Sequence, residues 1–173
     1  RPRRPDISIC LSAVGRPVHY SFVEGVENLC LEEGTTVVRC STDHLDGVFD
    51  GIYDPCVVLD FGRVLTARPR IELDGPAGGT VEFGYAERLI DGHFNIAIEG
   101  SFADRCVLRE GAQVYEPFTW KAFRFLKLRF RSCFEAVTIR SVKAIVSSYP
   151  YEERGRFESG DQMLNDVWGI SRR

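Results

Sequence analysis

The sequence predicts an all-β fold, a jelly-roll-like sandwich of two antiparallel sheets, closed by one short C-terminal helix. Three observations predict it. Short runs rich in β-branched and aromatic residues alternate with turn chemistry built on Gly, Pro and Asp. In the strongest run, Phe123 to Phe130, apolar residues fall at every second position apart from one phase slip, which is the period of a strand. The 12 Phe, many for 173 residues, suit an aromatic-rich core between sheets.

The elements follow in order. Thr35 to Cys40 is rich in β-branched residues and reads as a strand. Cys56 to Phe61 is a second, and a run from near Val64 through Ile71 to Leu73 is a third. Asp74-Gly75-Pro76-Ala77-Gly78-Gly79 is a turn, its glycines supplying positive φ where it is needed. Thr80 to Phe83 is the next strand, and Asp91-Gly92 marks a further turn. Cys106 to Leu108 is a strand closed by Gly111. In Phe123 to Phe130, Phe123 and Phe125 share one face while Leu126, Leu128 and Phe130 share the other. That slip predicts a β-bulge or a strand buried on both faces. Val137 and Ile139, then Val142, Ala144 and Val146, slip in the same way.

The ending differs in kind. Tyr149-Pro150-Tyr151-Glu152-Glu153-Arg154-Gly155 reads as a linker, because Pro150 suits neither a helix interior nor a central strand. Ser159 and Gln162, three residues apart, form a capping box for a helix carrying Leu164, Val167, Trp168 and Ser171 on one face. No Gly or Pro stop signal ends that helix, so it is expected to open a further domain. The chain thus divides into residues 1–54, a lead-in with first strands of unassigned role, a sandwich core over 55–149, and a linker with helix over 150–173.

A net charge of −3 gives no electrostatic footprint for nucleic acid, and no apolar stretch reaches the roughly 20 residues of a membrane-spanning helix. Arg1, Arg3 and Arg4, interleaved with Pro2 and Pro5, read as a solvated extended lead-in. The six cysteines, Cys10, Cys30, Cys40, Cys56, Cys106 and Cys133, include no C-x-x-C pair and sit mostly in apolar runs. They read as reduced, small core hydrophobes, with one or more disulfides as the alternative, and a cytoplasmic location is favoured over a secreted one. Asp43, Asp46, Asp50 and Asp54 with Gly47 and Gly51 raise the question of calcium, but the spacing is not that of an EF-hand loop and no Glu closes it. A plain acidic, turn-rich loop is expected there. His19, His44 and His93 stand alone, and neither a G-x-S-x-G elbow nor a glycine-rich phosphate loop occurs. No metal, cofactor or catalytic residue is therefore expected in this chain.

From about Val57 onward the wording becomes specific. Leu59-Asp60-Phe61-Gly62-Arg63, Arg68-Pro69-Arg70, Gly84-Tyr85-Ala86-Glu87-Arg88-Leu89 and Ala103-Asp104-Arg105-Cys106-Val107-Leu108 are followed by Tyr115-Glu116-Pro117-Phe118-Thr119-Trp120, Ala122-Phe123-Arg124-Phe125-Leu126 and Tyr149 to Phe157. In that order they resemble the bacterial α-L-rhamnosidases, glycoside hydrolases that release terminal L-rhamnose with inversion. The resemblance implies a β-sandwich just before a catalytic α/α barrel, with Leu164 to Ser171 as the start of the barrel's first helix. It also implies that the acidic catalytic residues lie beyond this chain, whose partner is then the rest of its own polypeptide. Inversion needs an acid and a carboxylate roughly 6.5–9.5 Å apart. Glu152 with Glu153 reads instead as solvated linker charge, and Glu158 with Asp161 as charges favoured by the helix start.

Two groups of residues remain as candidate contacts. Tyr115, Trp120 and Tyr151 flank prolines and are the candidates for stacking on a sugar, in which case rhamnose-containing glycans are the ligand. Asp60, Arg63 and Trp168 are the candidates for contacts between domains. The functional expectation is a non-catalytic sandwich that braces the barrel; the alternatives are a carbohydrate-binding module and a structural interaction module without sugar chemistry.

Overall fold

The computed structural model describes residues 4–11, 22–45, 49–94, 103–150, 152 and 154–172. Its strands are β1 (Arg4–Leu11), β2 (Phe22–Glu24), β3 (Thr36–Arg39), β4 (Ser41–Leu45) and β5 (Phe49–Gly75). They continue with β6 (Thr80–Ala86), β7 (Ala103–Val107), β8 (Gly111–Tyr115), β9 (Lys121–Arg131) and β10 (Val137–Val146), before the helix α1 (Gln162–Ser171). All pairings are antiparallel, and the main order is β2-β3-β10-β5-β9-β6-β7, with β1, β4 and β8 also on β5. This is the all-β sandwich that the strand pattern predicts.

Strand β5 organises it. Sequence reading divides residues 56–73 into two strands, yet they form one element of 27 residues. Its first half lies between β1 and β9, and its second half between β10 and β8. The join is a bend. Opposite β9, five steps of β5 from Asp60 to Leu65 face only two steps from Phe125 to Phe123. Gly62 sits in this excursion at φ 79°, a conformation that costs an L-residue with a Cβ about 1–2 kcal/mol. The Asp60 carboxylate holds the bend: its Oδ1 accepts from the Gly62 N–H at 2.7 Å and from Arg124 Nε at 2.8 Å, and its Oδ2 accepts from Arg124 Nη2 at 2.8 Å. The bidentate ion pair keeps the Arg124 guanidinium protonated more firmly than usual.

The bend turns side chains from both halves of β5 into one core. Val57, Leu59 and Phe61 come from the first half and Ala67, Ile71 and Leu73 from the second. They meet Val81, Phe83 and Tyr85 of β6, Phe123, Leu126, Leu128 and Phe130 of β9, and Val137, Ile139 and Val142 of β10. Aromatic rings fill its centre: Phe123 packs edge-on against Phe61 at 5.6 Å and at a tilt against Tyr85 at 5.3 Å. Of the two predicted slips, the one in β9 needs correction: Phe123 shares the core with Leu126, Leu128 and Phe130, and Phe125, expected on the face of Phe123, turns outward to join Val58 and Ala86, because the β5 bend shifts the register between the two. In β10 the register shifts between Ile139 and Ser141, leaving Arg140 exposed and both Ile139 and Val142 buried.

Several expectations need correction. The basic lead-in becomes strand from Arg4 onward, pairing along β5 from Asp60 to Tyr53. The acidic run is no open loop: β4 and the start of β5 form a hairpin, Ser41 opposite Tyr53 and Leu45 opposite Phe49, although Asp46 and His19 lie outside the described residues. Gly111, read as a stop, opens β8. Cys56 is disulfide-bonded, whereas Cys30, Cys40, Cys106 and Cys133 are free thiols. The cap of α1 is Asp161, whose Oδ1 accepts from the Met163 N–H at 2.9 Å. Ser159 is instead held by Asn165, which accepts from its N–H and donates to its carbonyl, both at 2.8 Å, while Gln162 donates to Asp166.

The bend yields a direct test. Gly62→Ala is expected to lower unfolding free energy by about 1–2 kcal/mol in a urea titration, because the new Cβ meets the left-handed backbone. An unchanged midpoint would show that the bend does not depend on that conformation.

Candidate functional site: a charged groove and an aromatic rim

On the outer face of β9, Lys127, Arg129 and Arg131 recur at every second residue, as strand alternation requires. Glu82 of β6 lies opposite Arg129 on one side and opposite Arg105 of β7 on the other. A ladder of charges results. Asp54 Oδ2 accepts from Arg129 Nη2 at 2.9 Å and lies 3.3 Å from Arg131 Nε. Glu82 Oε1 accepts from Arg105 Nη2 at 2.7 Å and from Arg131 Nη1 at 3.4 Å. Asp54 is only 1 % exposed, so its charge depends on those two guanidinium groups.

Beside the ladder lies an open groove of about 520 Å³, lined among others by Gly84, Asp104, Arg105, Lys127 and Arg129. Gly84 is needed for space: a Cβ there would come within 3.2 Å of the Phe94 ring, which lies 5.7 Å from Lys127 Nζ. Burial, with the neighbouring Arg129 charge, pushes the Lys127 ammonium below the usual lysine range. Asp104 accepts a 2.7 Å hydrogen bond from the Tyr85 hydroxyl, and burial together with that bond raises the Tyr85 phenol above its usual range. The groove can hydrogen-bond a polar ligand. It offers no nucleophile paired with a base, and among the described residues no three metal-ligating side chains converge.

The second feature is aromatic. In the connection between β8 and β9, Pro117 is buried and Glu116 pairs with Arg68 at 2.8 Å, which anchors the backbone. Phe118 and Trp120 project from it, 99 % and 61 % exposed. Lys121 and Val146 both pair with Ala67, so Trp120 and the end of β10 flank β5 about 10 Å apart, two strand spacings. Val146 at the end of β10 is half-exposed, and Tyr149, three residues further along the chain, is 81 % exposed.

The structure separates the candidate residues. Tyr115 tilts against Phe83 at 5.1 Å on the margin of the core, while Trp120 faces solvent; Tyr151 lies outside the described residues. Asp60 is engaged inside the sandwich by Arg124, and Arg63 is exposed on the bend. Trp168 packs on Phe157 at 5.5 Å, within the C-terminal segment, where α1 buries none of its side chains. Sequence reading took Asp54 only as part of an acidic loop, and it missed Glu82, Arg105 and the basic face of β9. The alternating Lys127, Arg129 and Arg131 were a usable signal for the last of these.

A family model described as the bacterial α-L-rhamnosidase concanavalin-like domain matches residues 52–147. Among solved structures, the chain is similar to a GH78 family rhamnosidase of Bacillus sp. GL1, with 28 % identity and a TM-score of 0.63. That match covers 77 % of this chain and 14 % of the other, so the chain spans a small part of the rhamnosidase's length. A fucolectin from striped bass (Morone saxatilis) serum matches with 10 % identity and a TM-score of 0.42, over 83 % of this chain and 47 % of that one. CpGH89CBM32-6, produced by Clostridium perfringens, matches with 15 % identity and a TM-score of 0.34, over 82 % and 94 %. No curated protein matches the chain.

The ladder makes a prediction about stability. Asp54→Ala removes the buried carboxylate that Arg129 and Arg131 share, leaving them to Glu82 at 3.9 and 3.4 Å, and is expected to cost about 1.5–3 kcal/mol by chemical denaturation. A loss under about 0.5 kcal/mol, the scale of an exposed pair, would place the ladder among surface charges of little weight.

Proposed function

Because the chain belongs to the bacterial α-L-rhamnosidase concanavalin-like domain family, we propose that it is a non-catalytic β-sandwich domain of a larger glycoside hydrolase. The parent enzyme hydrolyses terminal α-L-rhamnosides with inversion, and this domain braces its catalytic barrel. One observation carries the bracing reading: Phe118 and Trp120 stand exposed on the short connection between β8 and β9, beside Glu116, which is paired with Arg68. Large apolar side chains gathered on a rigid surface gain free energy when another surface covers them. In α1, Met163, Leu164, Val167 and Ile170 are likewise exposed and suit the same kind of cover.

Two features support the non-catalytic part. Inverting hydrolysis needs two carboxyl groups flanking one sugar with room for a water between them. The carboxylates at the groove are committed elsewhere, Glu82 to Arg105 and Arg131 and Asp104 to Tyr85. Residues 150–173, read as the linker and first helix of the barrel domain, would carry the chain from the sandwich to the catalytic part.

A second reading rests on Trp120. Its exposed ring, next to exposed Phe118, offers the apolar face on which a pyranose stacks, so the domain is the place to look for capture of rhamnose-containing glycans.

Both readings can be tested. The purified domain is expected to show no turnover of an aryl α-L-rhamnoside; turnover in a sample free of the full-length enzyme would overturn the non-catalytic reading. In the parent enzyme, Phe118→Ser with Trp120→Ser is expected to lower the barrel's melting temperature while leaving the isolated domain's unchanged, and equal stability of the barrel would overturn bracing. In a Trp168→Phe background, Trp120 is the only tryptophan. Its fluorescence is then followed against rhamnose, and no change at millimolar sugar removes the capture reading.

A further inference from the structure

Two of the free thiols are neighbours in space although far apart in the chain. Cys40 follows β3, and Cys133 lies in the turn between β9 and β10. The Cys40 N–H donates to the Cys133 carbonyl at 2.8 Å. A direct backbone hydrogen bond of this kind sets the two Cα atoms within the roughly 4.4–6.8 Å that a disulfide bridges. The side chains point at each other as well, since the two thiols share a hydrogen bond. Cys40 Sγ lies 3.3 Å from the Phe130 carbonyl oxygen and Cys133 Sγ 3.3 Å from that of Arg131, so the two sulfurs lie against consecutive carbonyls at the end of β9. They are 3 % and 0 % exposed.

We propose that Cys40 and Cys133 form a cross-linking site, a dithiol that closes to a disulfide under an oxidant of the disulfide class and fastens the β3 end to the β9–β10 turn. The step balances. The Cys133 thiolate attacks one sulfur of the oxidant's disulfide, forming a mixed disulfide and expelling one thiolate. The Cys40 thiolate then attacks Cys133 Sγ and expels the second. Two protein thiols lose two electrons and two protons, and the oxidant becomes two thiols. The order of attack follows from the shared hydrogen bond, which lowers the Cys133 thiol and raises that of Cys40 together with burial.

Access is local. Cys133 is buried, but its neighbours Ser132, Phe134, Glu135 and Ala136 are exposed, so opening this one turn presents the thiol without unfolding a strand. Cys56 shows that the fold already accommodates a disulfide. Cys30 and Cys106 share no hydrogen bond with another thiol in the described structure and serve as internal controls. The bond would close a long loop that joins β3, on the β10 side of the sheet, to the hairpin carrying β9, and so would restrict the unfolded chain.

The test uses the whole chain and glutathione disulfide as probe. Intact mass, alkylation and peptide mapping before and after oxidation are expected to show loss of two free thiols and a linked Cys40–Cys133 peptide, with Cys30 and Cys106 still alkylated. The melting temperature is expected to rise by roughly 5–10 °C over that of the untreated chain, the Cys56 disulfide being present in both samples. In Cys133→Ala, the linked peptide and the rise should both disappear; the wild-type peptide map decides the matter even if that variant folds poorly. Links involving Cys30 or Cys106, a lasting glutathione adduct without a link, or two unreacted thiols would each overturn the proposal.

Discussion

The sandwich depends on one carboxylate. Asp60 binds the Gly62 N–H and both donors of Arg124, and so holds the point at which β5 stops following one part of the sheet and enters the other. A strand of 27 residues spans far more than the width of a small domain if it runs straight, at about 3.3 Å per residue. Bent at Gly62, it contributes Leu59 and Ile71 to the same core and supplies pairing edges to β1, β4, β8, β9 and β10. The constraint is electrostatic and geometric together: a planar guanidinium matched to a planar carboxylate, and a glycine at a φ that other residues enter only at a cost.

Away from that bend, the sheet divides into two faces. Inward positions of β6 and β9 carry Phe83, Tyr85, Leu126, Leu128 and Phe130, and outward positions carry Glu82, Lys127, Arg129 and Arg131. Strand alternation alone separates the two sets. The outer face is structured in its own right. Cross-strand register sets Glu82 between Arg105 and Arg129, and the buried Asp54 joins Arg129 and Arg131 from the far side. This network ties the long side chains beside the groove to one another.

The aromatic rim belongs to a different part of the design. Phe118 and Trp120 stand on a short connection whose neighbours, Pro117 and Glu116, are tied down. That arrangement exposes apolar surface on a rigid base, whereas a mobile loop would fold such rings back on itself. Apolar side chains exposed on such a base gain free energy when another surface covers them.

Strand positions were legible in the sequence because alternation and turn chemistry are local, so β3, β6, β9 and β10 and the slip in β10 could be read from neighbouring residues. The continuity of β5 was not. Gly62 looks like a break when seen alone, and what makes it a bend is Arg124, 64 positions away from Asp60. The helix start shows the same limit at short range: Ser159 and Gln162 have the spacing of a cap, but Asp161 takes the cap and Asn165 takes Ser159. Tyr115 and Trp120 look equivalent beside Pro117, yet Phe83 holds one against the core and nothing comparable covers the other. By itself, then, the sequence determined the all-β class, the family and most strand positions, since these depend on periodicity and on motifs read in order. Only the tertiary structure decided which segments join, which charges pair and which thiols meet, because register and burial are set by residues brought together from distant parts of the chain.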